Sequence, residues 1–276
     1  SDIYRQRAFT FPGGRSKAVV LSFDDGLVQD RKLVDVFDKH GLKGTFHLIS
    51  GFFGTTDDWL VEFTGEPAEY LDAEEVERLF SKHEVSSHSV SHPALTSVSD
   101  EEVLRQVNED RASLSRLAWQ LVDSHAYPFG AHDDRVVSLL SSTDLLVART
   151  VGESGNFDLP EDFLRWEPTT HHLNALPHID RFLALGDTVP AVLLIAGHSW
   201  EFDTGRDGND WALIETISKR LGGQSDVWSV GLGEVTRYLF AVMALEPGPG
   251  GWVNPGDIPV WIREGDAVIR LDPAPS

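Results

Sequence analysis

The chain has 276 residues, a formal net charge of -21 and no cysteine. That balance argues against nucleic acid and anionic membranes as partners, because both reward basic surfaces. It suits a soluble enzyme acting on a neutral or cationic ligand, or simply a solubility surface or a salt-tolerant host. Without cysteine, disulfides, thiolate nucleophiles and sulfur-ligated metals are excluded, so any metal must be held by His and carboxylate. No apolar run is long enough to span a bilayer. The start, Ser1-Asp2-Ile3-Tyr4-Arg5, shows neither an initiator Met nor a basic-then-apolar leader, so a signal peptide is expected to be already removed or never present. The compartment and the oligomeric state stay open.

In chain order, Ala18-Val19-Val20-Leu21 reads as a buried strand ending in Ser22-Phe23-Asp24-Asp25-Gly26. The spacing of Leu33, Val34, Phe37 and His40 predicts a helix over 30–40, with Gly41 closing it. Residues 44–49 form a second strand, giving a βαβ unit and hence a parallel sheet. A loop with Phe52, Phe53 and Trp59 follows, then a capping box at Asp72 opening a helix to Lys82. Residues 84–87 form a third strand. A second capping box at Ser99 opens a long helix to about Trp119. A strand over 122–128, a helix over 133–141 and a strand over 145–149 come next.

The prolines at 160, 168, 177 and 190 predict an irregular stretch over 150–190. Residues 192–197 are a buried strand, 210–221 an amphipathic helix, 227–229 a short strand and 233–245 a last helix. Composition shifts at Glu246-Pro247-Gly248-Pro249-Gly250-Gly251, and Glu264-Gly265-Asp266 turns a hairpin too short to stand alone. The alternation predicts an α/β architecture, a distorted (β/α) barrel of about seven strands. The expected division is a main domain over 1–245 and a hairpin extension over 246–276 packed on it.

Asp24 and Asp25 are like charges side by side, a costly pair unless a metal on one and a proton on the other divide their roles. His88 and His92 could face one cation, and with one carboxylate they make a His-His-Asp triad with open positions, the pattern of a hydrolytic metal site. Two histidines alone serve structure as often as metal.

These residues resemble a family. Phe23-Asp24-Asp25-Gly26, His88-Ser89-Val90-Ser91-His92-Pro93, Tyr127-Pro128-Phe129-Gly130 and Leu193-Leu194-Ile195-Ala196-Gly197-His198 are similar, in order, to motifs of the polysaccharide deacetylases, the NodB-homology enzymes of carbohydrate esterase family 4. The resemblance runs from about residue 17 to 245, and the C-terminal hairpin resembles one bacterial subgroup. It implies a NodB-type barrel and a metal-dependent deacetylase acting on an acetylated sugar or oligosaccharide. Asp25, His88 and His92 would hold a divalent metal, Zn²⁺ in the first place, with Co²⁺ or Ni²⁺ compatible. Asp24 would be the general base for a metal-activated water. The Phe129 N–H would steady the oxyanion, and His198 would protonate the leaving amine.

Tyr127, Trp166, Trp200 and His172 are candidates for the substrate walls, as is Trp59, and packing is the alternative for each. His198 could instead be a core histidine. His171 and His172 could line the site or cap a loop. His47, His125 and His132 read as supporting residues rather than ligands. Where the family usually carries an arginine bracing the base, this chain has Ala126, so Arg149 or Arg165 is expected to replace it. The aspartate that usually pairs with the acid is not identifiable. The competing readings are an O-acetyl esterase on xylan-like glycans, hydrolysis of a cyclic imide or ureide, and a non-catalytic carbohydrate-binding protein.

Overall fold

The computed structural model describes residues 1–187 and 190–276. One curled, wholly parallel sheet organises the chain. Its strands are β1 (Lys17–Asp24), β2 (Gly44–Leu48), β3 (Glu84–Ser87), β4 (Ser124–Ala126), β5 (Val147–Arg149), β6 (Thr170–His171), β7 (Ala191–Gly197) and β8 (Val227–Ser229). Seven of them follow the path β5-β4-β3-β2-β1-β7-β6, and β8 pairs with β1. β8 lies along Lys17–Val19, and β2 takes over the pairing from Leu21 to Asp24. The stretch after Arg165 spans the two sheet ends. Trp166 N–H donates to the Ala148 carbonyl of β5, and Thr169 N–H donates to the Leu194 carbonyl of β7. The expected α/β barrel of about seven parallel strands is the architecture found.

Period-two alternation explains how the site is made. Val19, Leu21 and Phe23 of β1, with Phe46, Val85, Leu193 and Ile195, pack under the helices Asp30–Lys39, Ala175–Leu183 and Trp211–Leu221. Ala18 and Val20, with Val192 and Leu194, face the opposite way, onto the helix Leu232–Met243 and the N-terminal residues Phe9 and Phe11. On that enclosed face the side chains turn polar toward the carboxyl ends of the strands: Ser22, Asp24, His47, Ser86 and Arg149, all buried. Apolar residues close the lower part, and chemistry-bearing ones gather at the upper rim, where parallel α/β sheets carry their sites.

The stretch expected to be irregular over 150–190 holds β6 and the helix Ala175–Leu183; its residues 188 and 189 lie outside the described residues. Pro177 does not break that helix because it is the third residue, in the first turn, where the missing N–H has no intrahelical partner to lose. Ala175, Ile179 and Phe182 supply the buried stripe. The capping box at Asp72 is present, but it opens a 3₁₀ turn, Ala73–Glu75, and only one α-helical turn, Val76–Leu79. Residues 246–251 belong to a small hairpin, Glu246–Gly248 with Gly251–Val253.

The second hairpin pairs Val260–Glu264 with Ala267–Leu271. Its first strand also pairs with Phe9–Thr10, and Val260 and Ile262 are buried in the cluster that seals the lower end of the sheet. No helix among the described residues is long and apolar enough to cross a membrane.

Candidate active site

Asp24 is the last residue of β1. Asp25 leaves the sheet with φ 90°, a left-handed conformation that costs a non-glycine residue on the order of 1 kcal/mol. Ser89 (φ 74°), His92 (φ 58°) and Phe129 (φ 59°) share that conformation around the same cavity. Strain of this kind persists where the surroundings over-determine it.

For the segment that carries Ser89 and His92 they do so through helix Asp100–Ala118. Val103, Val107 and Leu114 make its apolar stripe, and Gln106 and Asp110 interrupt it on the buried side. Gln106 accepts from the N–H groups of Val90 and Ser91, both at 2.9 Å. Asp110 accepts from Ser50 N–H (2.8 Å), Ser87 Oγ (2.7 Å) and His88 N–H (3.1 Å). Burial pushes the Asp110 carboxyl up to about 7. Two polar residues on an otherwise apolar stripe were the signal in the sequence for these anchors.

His88 donates from Nδ1 to the Ala126 carbonyl at 2.7 Å, which leaves the Nε2 lone pair facing the cavity. The Nε2 atoms of His88 and His92 are 3.1 Å apart. Asp25 Oδ1 lies 3.4 Å from the first and 3.7 Å from the second. The three ligand atoms lie close enough together to hold one divalent cation, a His₂-carboxylate set. Trp200 donates its indole N–H to Asp25 Oδ2 at 3.0 Å, fixing the carboxylate. Burial opposes the Asp25 charge, but His198, His88 and His92 hold its carboxyl down to about 2. Burial and the neighbouring His88 lower His92 to about 4.

Asp24 turns to a different partner. Arg149, at the end of β5 and 2% exposed, donates from Nη2 to Asp24 Oδ1. The rest of the guanidinium is spent on Ser22 Oγ (2.7 Å) and the Thr150 carbonyl (2.9 Å). Ser22 Oγ in turn lies 2.6 Å from His47 Nε2. His47 is lowered to about 3, chiefly by burial, and so is neutral. Burial alone would raise the Asp24 carboxyl. Arg149 above all, then His88, His47 and His198, hold it well below the usual carboxylate range.

Across the cavity, His198 follows β7. Its Nδ1 lies 2.9 Å from Glu201 Oε2, and its Nε2 lies 3.8 Å from Asp25 Oδ2. Glu201 sits three residues on, in the 3₁₀ turn Ser199–Asp203. The same Oε2 also receives His171 Nε2 (2.8 Å) and His172 Nε2 (3.0 Å). His171 Nδ1 accepts Leu173 N–H, so its proton is on Nε2 and it donates to Glu201. With His172, the cluster of His171, His198 and Glu201 is therefore a carboxylate with three N–H donors rather than a second metal cradle. Burial works against a charge on His198, but Asp25, Glu201 and Asp24 push it up to about 9. Gly197 is required here, since a Cβ on it would meet His172 Cδ2 at 1.9 Å.

These groups open on a cavity of about 770 Å³. Its walls include Tyr127, Phe129, Trp59 and Trp200, along with Asp24, Asp25, His88, His92, Arg149, His171 and His198. Tyr127 is anchored by donation to the Leu164 carbonyl at 2.7 Å.

Three expected site residues lie elsewhere. Trp166 is 4% exposed and packs in the lower core against Phe163, because it pairs with the β5 edge and its side chain falls on the closed side. Arg165 is at the surface, paired with Asp134 and Asp162, so Arg149 alone of the two arginines reaches Asp24. His172 is fully buried against Phe23 and meets Glu201, not the cavity. His125 and His132 are supporting residues, bonded to Ser87 Oγ and the Gly130 carbonyl. Sequence reasoning missed Glu201, and its signal was the i+3 spacing from His198.

Fold and constellation define a parallel-barrel hydrolase-like site with a His₂-carboxylate cluster beside a braced second carboxylate. Residues 12–148 match the family model of polysaccharide deacetylases, and the chain carries a domain of that family, the NodB-homology group of carbohydrate esterase family 4. A curated peptidoglycan-N-acetylglucosamine deacetylase from Bacillus cereus is 33% identical over 115 residues, covering 40% of this chain and 36% of that protein. The chain thus spans little more than a third of the length of that relative. A solved structure from Mycobacterium smegmatis, assigned to the polysaccharide deacetylases, superposes with a TM-score of 0.58 at 15% identity, over 84% of this chain and 93% of its own. The shared fold therefore extends past the matched span. Arg149, His171, His198 and Glu201 lie beyond residue 148, and their assignment rests on geometry.

Proposed function

We propose that the chain is a metal-dependent hydrolase that removes the N-acetyl group of an amino sugar or oligosaccharide. The observation that carries this reading is the division of the two adjacent carboxylates. Asp25 faces His88 and His92, while Asp24 is held by Arg149. Asp25, His88 and His92 would hold the cation, with Zn²⁺ first. When bound there, a divalent cation supplies Lewis-acid polarisation of an acetyl carbonyl and of water.

The chain's own groups supply the proton transfers. Arg149 keeps Asp24 ionised and occupies Oδ1, leaving Oδ2 to take a proton from the attacking water. Donation to Glu201 fixes the His198 ring with Nε2 toward the cavity, where it would protonate the departing nitrogen. An amine leaves poorly without that proton, and the Glu201 carboxylate at Nδ1 favours the charged ring that would supply it. The N–H of Phe129, a left-handed residue whose ring packs edge-on against that of His92, is the candidate oxyanion donor. Residues 1–245 would form the catalytic unit and 246–276 its docked extension.

The test is acetate release from N-acetylglucosamine oligomers and from acetylated xylan by metal-free protein restored with Zn²⁺, Co²⁺ or Ni²⁺. Release from the first that is abolished by chelator, with an Asp24→Asn protein that retains metal but loses most turnover, supports the proposal. Release only from xylan would replace the amide reading with the ester. An active Asp24→Asn enzyme would refute Asp24 as base.

A further inference from the structure

The walls of the cavity say which glycans it can take. Among its described lining residues, His198 Nε2 is turned to the reaction centre and the remaining cationic groups are engaged elsewhere. Arg149 is bound to Asp24, Ser22 and the Thr150 carbonyl. His171 and the Nδ1 of His198 are turned to Glu201, and His88 to the Ala126 carbonyl. Arg206, near the outer edge, lies over the Phe63 ring at 5.4 Å and donates to the Glu62 carbonyl.

What the opening does offer is acid and apolar surface. Asp57 is exposed on one wall, and Glu153 stands on the other, held by Thr170, His171 and Asn174. Phe129 is 71% exposed and Val151 55% exposed at the cavity, surfaces suited to the C–H faces of a sugar ring. A chain of net charge -21 adds a long-range field of the same sign. A carboxylate on the residue next to the scissile acetyl group would have to shed water here without meeting a partner, beside two fixed negative charges.

We propose that the site is selective for uncharged N-acetylated oligosaccharides and discriminates against glycans whose neighbouring residues carry carboxylates, with Asp57 as a specificity-determining residue. This rests on the deacetylase reading above.

The experiment compares three tetrasaccharides with Zn²⁺-loaded full chain: an N-acetylglucosamine oligomer, one of equal length alternating with N-acetylmuramic acid, and the latter with its carboxylates amidated. At low salt kcat/KM should be at least about ten-fold higher on the neutral oligomer. Amidation should recover most of the difference. The gap should narrow in 1 M salt, where screening acts over about 3 Å. Asp57→Asn, which keeps an acceptor for the Trp59 N–H, should also narrow it. Equal rates on neutral and carboxylated oligomers would overturn the proposal and leave the deacetylase reading standing. A gap that amidation leaves unchanged would overturn it too, since bulk rather than charge would then discriminate. No acetate from any of the three would overturn both.

Discussion

Replacing Arg149 by Met tests the electrostatic design most directly. The guanidinium and the Asp24 carboxylate are 2% and 8% exposed as side chains, so neither charge has bulk water to fall back on. Removing one partner of a buried pair leaves the other charge uncompensated, at a cost of about 3–5 kcal/mol. In a chain of this size that lowers Tm by roughly 10 °C. The pH dependence follows from the direction of the shift. The folded-state pKa of Asp24 lies below the unfolded value of about 3.9, so the pair stabilises the protein above that pH and its contribution is lost as pH falls through the folded value.

In Arg149→Met the folded value rises, so acid destabilisation sets in at higher pH and the acid limb of kcat/KM moves the same way. Urea unfolding from pH 4 to 8 and a pH–rate profile measure both. Adding Asp24→Asn removes the stranded charge, so the double variant should recover most of the lost stability. An Arg149→Met protein with parental stability and an unmoved acid limb would show that Asp24 does not depend on this guanidinium.

Other outcomes follow from the same geometry. Glu201→Gln removes the charge that faces His198, so in metal-free protein the His198 ring, followed by NMR, should titrate below its present value of about 9; an unchanged titration would place its support elsewhere. Trp200→Phe deletes the indole donor to Asp25 and should weaken metal affinity by about ten-fold or more, read by competition with a chelating dye. His92→Ala should lose metal altogether, and stoichiometric metal in that variant would count against the His₂-Asp cluster. Asp110→Asn turns an amide N–H₂ toward donors and should cost about 1–3 kcal/mol in urea unfolding. Because burial raises the Asp110 pKa to about 7, its neutral form favours the fold below about 3.9, and that contribution fades as pH rises through 7.

Much of the site was legible because its residues sit at strand ends, and strand ends are marked in sequence by apolar runs meeting turn residues. Asp24-Asp25-Gly26 and Gly197-His198 each close an apolar run, and their two strands pair with Gly197 opposite Phe23, at the same edge of one sheet. The helix Ala175–Leu183 was hidden by Pro177, whose effect depends on which turn it occupies. Trp166 and Arg165 adjoin each other in sequence, yet one is buried in the lower core and the other is paired at the surface. No periodicity distinguishes those fates, since they follow from how the stretch after β5 bridges the curled sheet.

Sequence alone determined the βα alternation, the parallel sheet and the ligand types available to a chain without cysteine. Those depend on local pattern and on composition, which short-range physics reads directly. Only the tertiary structure decided which arginine faces Asp24, that Glu201 gathers three histidines, and that Trp200 steadies Asp25. Asp24 and Arg149 are 125 residues apart, and they meet because β1 and β5 deliver their polar ends to the same enclosed rim of the sheet.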